Sequence, residues 1–292
     1  NQGSLNIESG ATFRSVEAEI RVDALTGAGT WAAGWRSPSF RSSPVIGVAD
    51  GAGLVDGDGN KIDAVFSGRI VDYNVRAGDK VRDFIKVGSG TQILTGNNTY
   101  SGVTHVQGGT LQIGNDGTTG TLGGTKVVVT DGIFAINRSN TVTFKQIITS
   151  DGEIEPYTRN LVTRDLATDP LVGKVVQRGS GQTYFTNNSN NYSVQTVVEK
   201  GTLTLSTTTT NTKGIDVWAG ATAELPAKLN DFTNTDGITY TGAGTLIRTA
   251  PRNTHRTLVG SNGGTVDMDA GGLILVRGGE LRLTNGPTTD WS

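Results

Sequence analysis

The stretch GSGTQILTGNNTYSGVTHVQGGTLQIG, residues 88–114, decides the fold of this chain. Short runs of β-branched and apolar residues alternate in it with glycine and asparagine corners, a pattern typical of short strands joined by tight turns. In the last run, Leu111 and Ile113 alternate with Thr110 and Gln112, so the two apolar side chains are predicted to share one face. Strands this short bury too little apolar surface alone, which predicts that further units stack on them.

The same stretch recurs further along the chain. Residues 179–206 repeat it with one extra residue before the tyrosine, so that Tyr100 corresponds to Tyr192 and Gly109 to Gly201. Shorter parts of the repeat motif recur at residues 242–249, 263–268 and 278–283. A repeat whose unit is one supersecondary structure predicts a solenoid, in which each coil packs on the next.

The sequence motif of both copies resembles the passenger-associated repeat of bacterial autotransporters. The resemblance is close over residues 88–114, good over 179–206 and partial over 219–286, which together make up roughly half of the chain. It implies an all-β fold, a right-handed parallel β-helix that is secreted and displayed on the outer membrane or released from it. The same scaffold serves adhesins, toxins and proteases, so the resemblance is nearly silent about activity.

The alternation of apolar and polar residues predicts one continuous core. Its predicted members are Leu94, Val106, Leu111, Ile113, Val128, Phe134, Ile136, Leu203 and Leu205. Two positions depart from the repeat, because the first of two inward leucines is replaced by Gln92 in one copy and by Thr183 in the other. Either the core is thinner in those coils or their register is shifted by one residue.

Composition agrees with a solenoid and excludes some functions. The 292 residues include 42 glycines, no cysteine, and 25 basic against 27 acidic side chains. Glycine suits corners that need a positive φ, and β-branched threonine suits exposed strand faces. The balanced charge argues against a nucleic-acid partner, and without a run of 18 apolar residues no membrane-spanning helix is predicted. The sequence predicts no cofactor.

The chain is predicted to form one β-helix domain over residues 1–292, with two irregular excursions. The first covers about 31–86 and holds two tryptophans and the densest charges. The second covers about 155–178 and includes the best short-helix candidate, at 163–168. Both excursions are expected to leave the coils and to meet a ligand.

An acidic turn in the first excursion resembles the start of a calcium-binding loop, with Asp56, Asp58 and Asn60 at alternate positions. A helix-loop-helix calcium site also needs glycine at its sixth position and glutamate at its twelfth. This chain has Lys61 and Ser67 there. Hairpin turns are rich in aspartate and glycine as well, so a calcium site and a plain turn both stay open.

Aromatic side chains of the first excursion are candidates for ligand binding. Trp31 and Trp35, with Arg36 beside them, could stack on sugar rings, since exposed aromatics often contact carbohydrate or protein. The tryptophans could equally be large side chains that pack in the first coils and bind no ligand. The sequence does not distinguish these two roles.

A basic loop near the C-terminal end is a second candidate. It contains Arg248, Arg252, His255 and Arg256, which could bind an acidic glycan or phosphate, or could simply be solvated. The other histidine, His105, lies in a repeat strand at a place matched by Val197. That position predicts an ordinary strand residue and not a member of a Ser-His-Asp site.

The sequence therefore predicts a non-catalytic extracellular or cell-surface β-helix with a structural or adhesive role and a surface glycan or protein as its ligand. Two alternatives stay open. The sequence pattern of the repeat lies near both ends of the chain, at residues 5–12 and 280–283. Copies of the chain could therefore stack end to end into a self-assembling filament. Paired carboxylates among Asp63, Asp72, Asp79 and Asp83 could instead make a polysaccharide-active enzyme.

Overall fold

The computed structural model describes residues 3–16, 18–34, 43–47, 64–73, 83–150, 171–205, 212–225 and 239–249, together with four later strands. In these residues every regular element is a strand, and every strand pair is parallel. The chain runs from one sheet to the next and returns one strand further along. This arrangement confirms the predicted all-β parallel β-helix.

The N-terminal coils contain sixteen described strands. They are β1 (Leu5–Ile7), β2 (Thr12–Ser15), β3 (Ile20–Val22), β4 (Leu25–Gly27), β5 (Thr30–Ala33), β6 (Pro44–Ile46), β7 (Ala64–Phe66), β8 (Arg69–Asp72), β9 (Asp83–Lys86), β10 (Thr91–Leu94), β11 (Val103–Val106), β12 (Thr110–Gly117), β13 (Lys126–Val129), β14 (Ile133–Arg138), β15 (Val142–Phe144) and β16 (Ile147–Thr149).

The C-terminal coils contain twelve more described strands. They are β17 (Lys174–Gln177), β18 (Gln182–Phe185), β19 (Gln195–Val198), β20 (Thr202–Thr204), β21 (Gly214–Val217), β22 (Thr222–Leu225), β23 (Thr239–Gly242), β24 (Thr245–Thr249), β25 (His255–Thr257), β26 (Val266–Met268), β27 (Leu273–Arg277) and β28 (Glu280–Arg282).

One sheet runs through the whole stack. This long sheet has eleven strands in the order β1-β4-β7-β10-β12-β14-β17-β19-β21-β23-β26. The other faces are built from two six-stranded sheets, β16-β13-β11-β9-β6-β3 and β15-β18-β20-β22-β24-β27, and from the shorter sheets β2-β5-β8 and β25-β28. Since each strand of the long sheet belongs to one coil, side chains at equal register positions form columns along the stack.

The core lies inside the coils, and eight of the nine predicted core residues belong to it. Val128 is the exception. It is buried, but its neighbours Val127 and Val129 are the ones in the core, so Val128 points outward from β13. Gln92 and Thr183 keep the register, because they pair with the core residues Leu111 and Leu203.

The corners at Gly109 and Gly201 are equivalent in the two repeats, as predicted. Gly109 has φ 56° and Gly201 has φ 67°, a region that disfavours side chains with a Cβ. A Cβ at Gly109 would also overlap the carbonyl oxygens of the preceding coil, and a Cβ at Gly201 would meet the same arrangement. Both corners therefore require glycine for conformation and for space.

The predicted excursions are narrower than the sequence suggests. Within residues 31–86, the strands β6, β7, β8 and β9 all belong to stacked sheets. Within 155–178, β17 belongs to the long sheet. The candidate helix at 163–168 lies outside the described residues.

Candidate ligand-binding surface

Three side chains form a column on the outer surface of the long sheet. Arg178, Glu199 and Trp218 directly follow β17, β19 and β21. Their backbone N–H groups donate to carbonyls of the neighbouring strand at 2.8, 2.8 and 2.9 Å. Because adjacent strands lie about 4.8 Å apart, the three side chains stand next to one another on the surface. We call this group, with Asp216 and Gln112, the tryptophan surface.

Trp218 is the exposed aromatic of this surface. The residue is 49% exposed, and Val172 is the other exposed large apolar residue in the described part of the chain. The indole Nε1–H donates to Asp216 Oδ2 at 3.0 Å. Asp216 Oδ1 in turn accepts from Thr241 Oγ1 at 2.8 Å. These bonds fix the orientation of the indole on the surface.

Arg178 is held in a fork by Glu199. Nε and a terminal nitrogen donate to the two carboxylate oxygens at 2.7 and 3.1 Å, and the other terminal nitrogen donates to Gln112 Oε1 at 3.1 Å. Arg178 thus reaches from β17 across β14 to β12. This ion pair is partly exposed and adds little stability, but its bidentate geometry fixes the direction of the guanidinium.

A small apolar cluster lies beside this column, on the same outer face of the long sheet. Ala135, Val176 and Val197 point outward from three neighbouring strands of the long sheet, yet they are 0%, 2% and 3% exposed. Ile133 packs against them. Close packing in this neighbouring row limits the movement of the strands that carry Arg178 and Glu199, so these two polar groups are positioned in advance.

The chemistry of the surface suits recognition. An indole face packs against the C–H face of a sugar or against an apolar side chain. Carboxylates accept hydrogen bonds from hydroxyl groups, and a guanidinium has five donors, of which three are used here. A ligand lying along the column would meet the aromatic ring first and the ion pair one coil away.

Of the site residues predicted from the sequence, Trp31 is the one whose side chain the structure describes. Trp31 is fully buried, its Nε1–H donates to Ser15 Oγ at 2.8 Å, and Phe13 packs edge-on against it at 5.6 Å. Trp31 therefore packs inside the first coils and does not present its ring to a ligand. The remaining candidates lie outside the described residues or have side chains that do: Trp35, Arg36, Asp56, Asp58, Asn60, Arg252, His255 and Arg256.

His105 forms the one described pair that resembles part of a catalytic site. Its Nε2 lies 3.1 Å from Asp83 Oδ1, and its side chain is 6% exposed. Nδ1 of His105 has no hydrogen-bond partner within the described structure. No group of three or more potential metal ligands occurs in the described ranges. A histidine this buried does not offer its ring to a substrate.

Trp218 was missed by the sequence-based prediction, although a signal exists. Ile215 and Val217 are core residues of β21, so the alternation places Asp216 and Trp218 on the outer face. Trp218 also precedes a turn at 219–220, where strands end at the surface. A tryptophan at an outward position next to a turn indicates an exposed ring.

Comparisons with known proteins agree with the repeat architecture. The family model described as passenger-associated-transport-repeat matches residues 84–113 and 175–205. The adhesin BmaC autotransporter of Brucella suis biovar 1 (strain 1330) is 42% identical over 96 residues, which is 33% of this chain and 3% of that protein. No solved structure matches the chain. Its described part contains no helix long and apolar enough to cross a membrane.

Proposed function

Because this chain is an autotransporter passenger with transport-associated repeats, located outside the cell or on the bacterial outer surface, we propose that it is a non-catalytic adhesive β-helix. Its contact surface is the tryptophan surface, and the single observation that carries the proposal is the oriented, half-exposed ring of Trp218. The similarity to an adhesin supports the adhesive role. No described residue favours the filament or the polysaccharide-active enzyme.

A surface glycan is the ligand class that this geometry favours. The indole N–H is already bonded to Asp216, so the ring offers its face, which is the part that stacks on sugars. Glu199 and Arg178 stand in the same column and can exchange hydrogen bonds with hydroxyl groups. The surface is open and not a cleft, which suits a chain of sugars lying across several coils.

The test compares two exposed apolar side chains. Wild type, Trp218→Ala and Val172→Ala are applied to an array of bacterial and mammalian surface oligosaccharides. We expect Trp218→Ala to lose up to about tenfold in affinity, since stacking on an aromatic ring contributes about 0.5–1.5 kcal/mol. Val172→Ala should bind like wild type, because Val172 lies away from the column, at the opposite ends of the strands.

Two outcomes would contradict the proposal. Equal binding by Trp218→Ala and wild type would show that the contact lies elsewhere. Binding to cells that depends on Trp218 but survives enzymatic removal of surface glycans would replace the glycan with a protein ligand. Circular dichroism of each variant checks that the β-helix is retained.

A further inference from the structure

A pocket of about 220 Å³ opens on another face of the β-helix. It lies between residues 120–122 of one coil and 142–146 of the next. On this side the sheet β2-β5-β8 ends, an isolated bridge joins Asn97 to Thr121, and β15 begins a new sheet. The change from one sheet to the next leaves room that a continuous stack of strands would fill.

The floor of the pocket is apolar and well packed. It is formed by Ile113, Leu122, Ile136 and Phe144, whose exposed fractions are 3%, 5%, 2% and 6%. The Phe144 ring is fixed between two other phenylalanines, with ring centres 5.5 and 5.8 Å away. An apolar group that enters the pocket therefore meets a preformed surface and displaces water from it.

The rim of the pocket is cationic. Arg138 and Lys145 line it, and none of its lining residues is acidic. The Arg138 guanidinium donates to Asn140 Oδ1 at 3.1 Å, to the Gly120 carbonyl at 2.7 Å and to the Thr118 carbonyl. These bonds use three of its five N–H donors and fix its plane. Burial lowers the pKa of Arg138, which indicates a poorly hydrated charge that an anion would stabilise.

We propose that this pocket binds a small carboxylate with an apolar body. The apolar part packs on Ile113, Ile136 and Phe144, and the carboxylate accepts hydrogen bonds from the free donors of Arg138, with Lys145 adding charge. A cavity of about 150 Å³ holds benzene, so this pocket has room for a phenyl ring and a short chain. The site is separate from the tryptophan surface and does not depend on its role.

The test uses a matched pair of probes, 3-phenylpropionate and the neutral alcohol 3-phenylpropanol. Methyl NMR of isoleucine reports on Ile113 and Ile136 inside the pocket, and calorimetry gives the affinities. We expect the acid to shift both methyl signals and to bind at least tenfold more tightly than the alcohol, because a charge-assisted bond to arginine is lost in the alcohol.

Two variants test the rim separately. Arg138→Met should weaken the acid at least tenfold and leave the alcohol unchanged. Since Arg138 also holds residues 118–120, Lys145→Met is the second variant, with an expected threefold loss for the acid. Lys200→Met removes the same charge from an exposed residue that does not line the pocket, and should have no effect.

Three outcomes would overturn the proposal. The methyl signals could stay unchanged at millimolar probe, the acid and the alcohol could bind equally, or Lys200→Met could weaken the acid as much as Arg138→Met. The Trp218→Ala protein should bind the acid like wild type. Loss of glycan binding with retained acid binding would thus separate the two sites.

Discussion

The side-chain amide of Gln92 binds both backbone polar groups of Leu25, a residue 67 positions earlier in the chain. Its Oε1 accepts from the Leu25 N–H at 3.0 Å, and its Nε2 donates to the Leu25 carbonyl at 2.9 Å and to the Ala64 carbonyl at 2.7 Å. Strands β4 and β7 pair at Gly27 and Phe66 and not at Leu25. The buried amide therefore takes the place of a missing strand contact.

Replacing Gln92 with leucine tests this arrangement. Gln92→Leu would restore the apolar residue of the repeat but would leave the Leu25 N–H and carbonyl buried without partners. We expect a loss of about 2–5 kcal/mol in the free energy of unfolding, measured by urea denaturation. Thr183→Leu is the control, because Thr183 occupies the other departing position and forms no such bridge with the described residues. Equal stability of Gln92→Leu and wild type would show that the amide is dispensable.

The buried Lys86 predicts a dependence of stability on pH. Its Nζ donates to the carbonyls of Val87, Gly108 and Gly88 at 2.6, 3.1 and 3.3 Å. Burial lowers its pKa from 10.5 to about 8, partly opposed by Asp23. Between these values the unfolded chain binds more protons than the folded chain. The contribution of Lys86 to the free energy of unfolding should therefore increase by about 2 kcal/mol as the pH rises to 9.5.

Lys86→Gln is the matched variant, since Gln177 holds the equivalent place in the second repeat and donates to Gly179 and Gly181 carbonyls at 2.8 and 3.2 Å. The difference in free energy of unfolding between wild type and Lys86→Gln should change steadily from pH 7.5 to 9.5. Above about pH 10 the buried Tyr100 and Tyr192, whose pKa values are raised by burial, act in the opposite direction. A difference that is constant over this range would contradict the lysine assignment.

The two equivalent tyrosines predict unequal effects of one substitution. The Tyr100 hydroxyl lies 2.7 Å from Thr104 Oγ1, and the Tyr192 hydroxyl lies 2.9 Å from Thr196 Oγ1. Thr196 has a further partner in Thr212, at 3.0 Å. Tyr100→Phe should lower the free energy of unfolding by about 1.5 kcal/mol. Tyr192→Phe should lower it by only about 0.5 kcal/mol, because Thr196 keeps Thr212 as a partner. Thermal unfolding of both variants measures the order, and a reversed order would contradict this prediction.

The inward direction of Leu111 predicts the effect of a charge. Leu111 is fully buried in β12, so Leu111→Asp would place an unpaired carboxylate inside the coils. We expect a loss of at least about 4 kcal/mol, or an unfolded protein. Thr143→Asp, at an exposed position of β15, is the control and should change stability by less than about 0.5 kcal/mol. Similar melting of the two variants would mean that the assigned register is wrong.

Local sequence was sufficient for the repeats and their corners. Side chains alternate between the two faces of any strand, so the facing of Leu111 and Ile113 follows from spacing alone. The positive φ of Gly109 likewise follows from a double glycine between two short strands. Where three valines stand in a row, as at 127–129, the valines themselves do not set the phase of the alternation, and only the polar residue Lys126 at the start of the strand does. The direction of Val128 was wrong for that reason.

Contacts between distant coils were decided only by the tertiary structure. The sequence by itself determined that this is a stack of short parallel strands with glycine and asparagine corners, because those preferences are set within a few residues. It did not determine that Gln92 completes the backbone of Leu25, that Arg178 reaches Gln112, or that Trp31 is buried while Trp218 is exposed. Each of these depends on which coils become neighbours, and that is set by the number of residues between strands and by the packing of the whole stack.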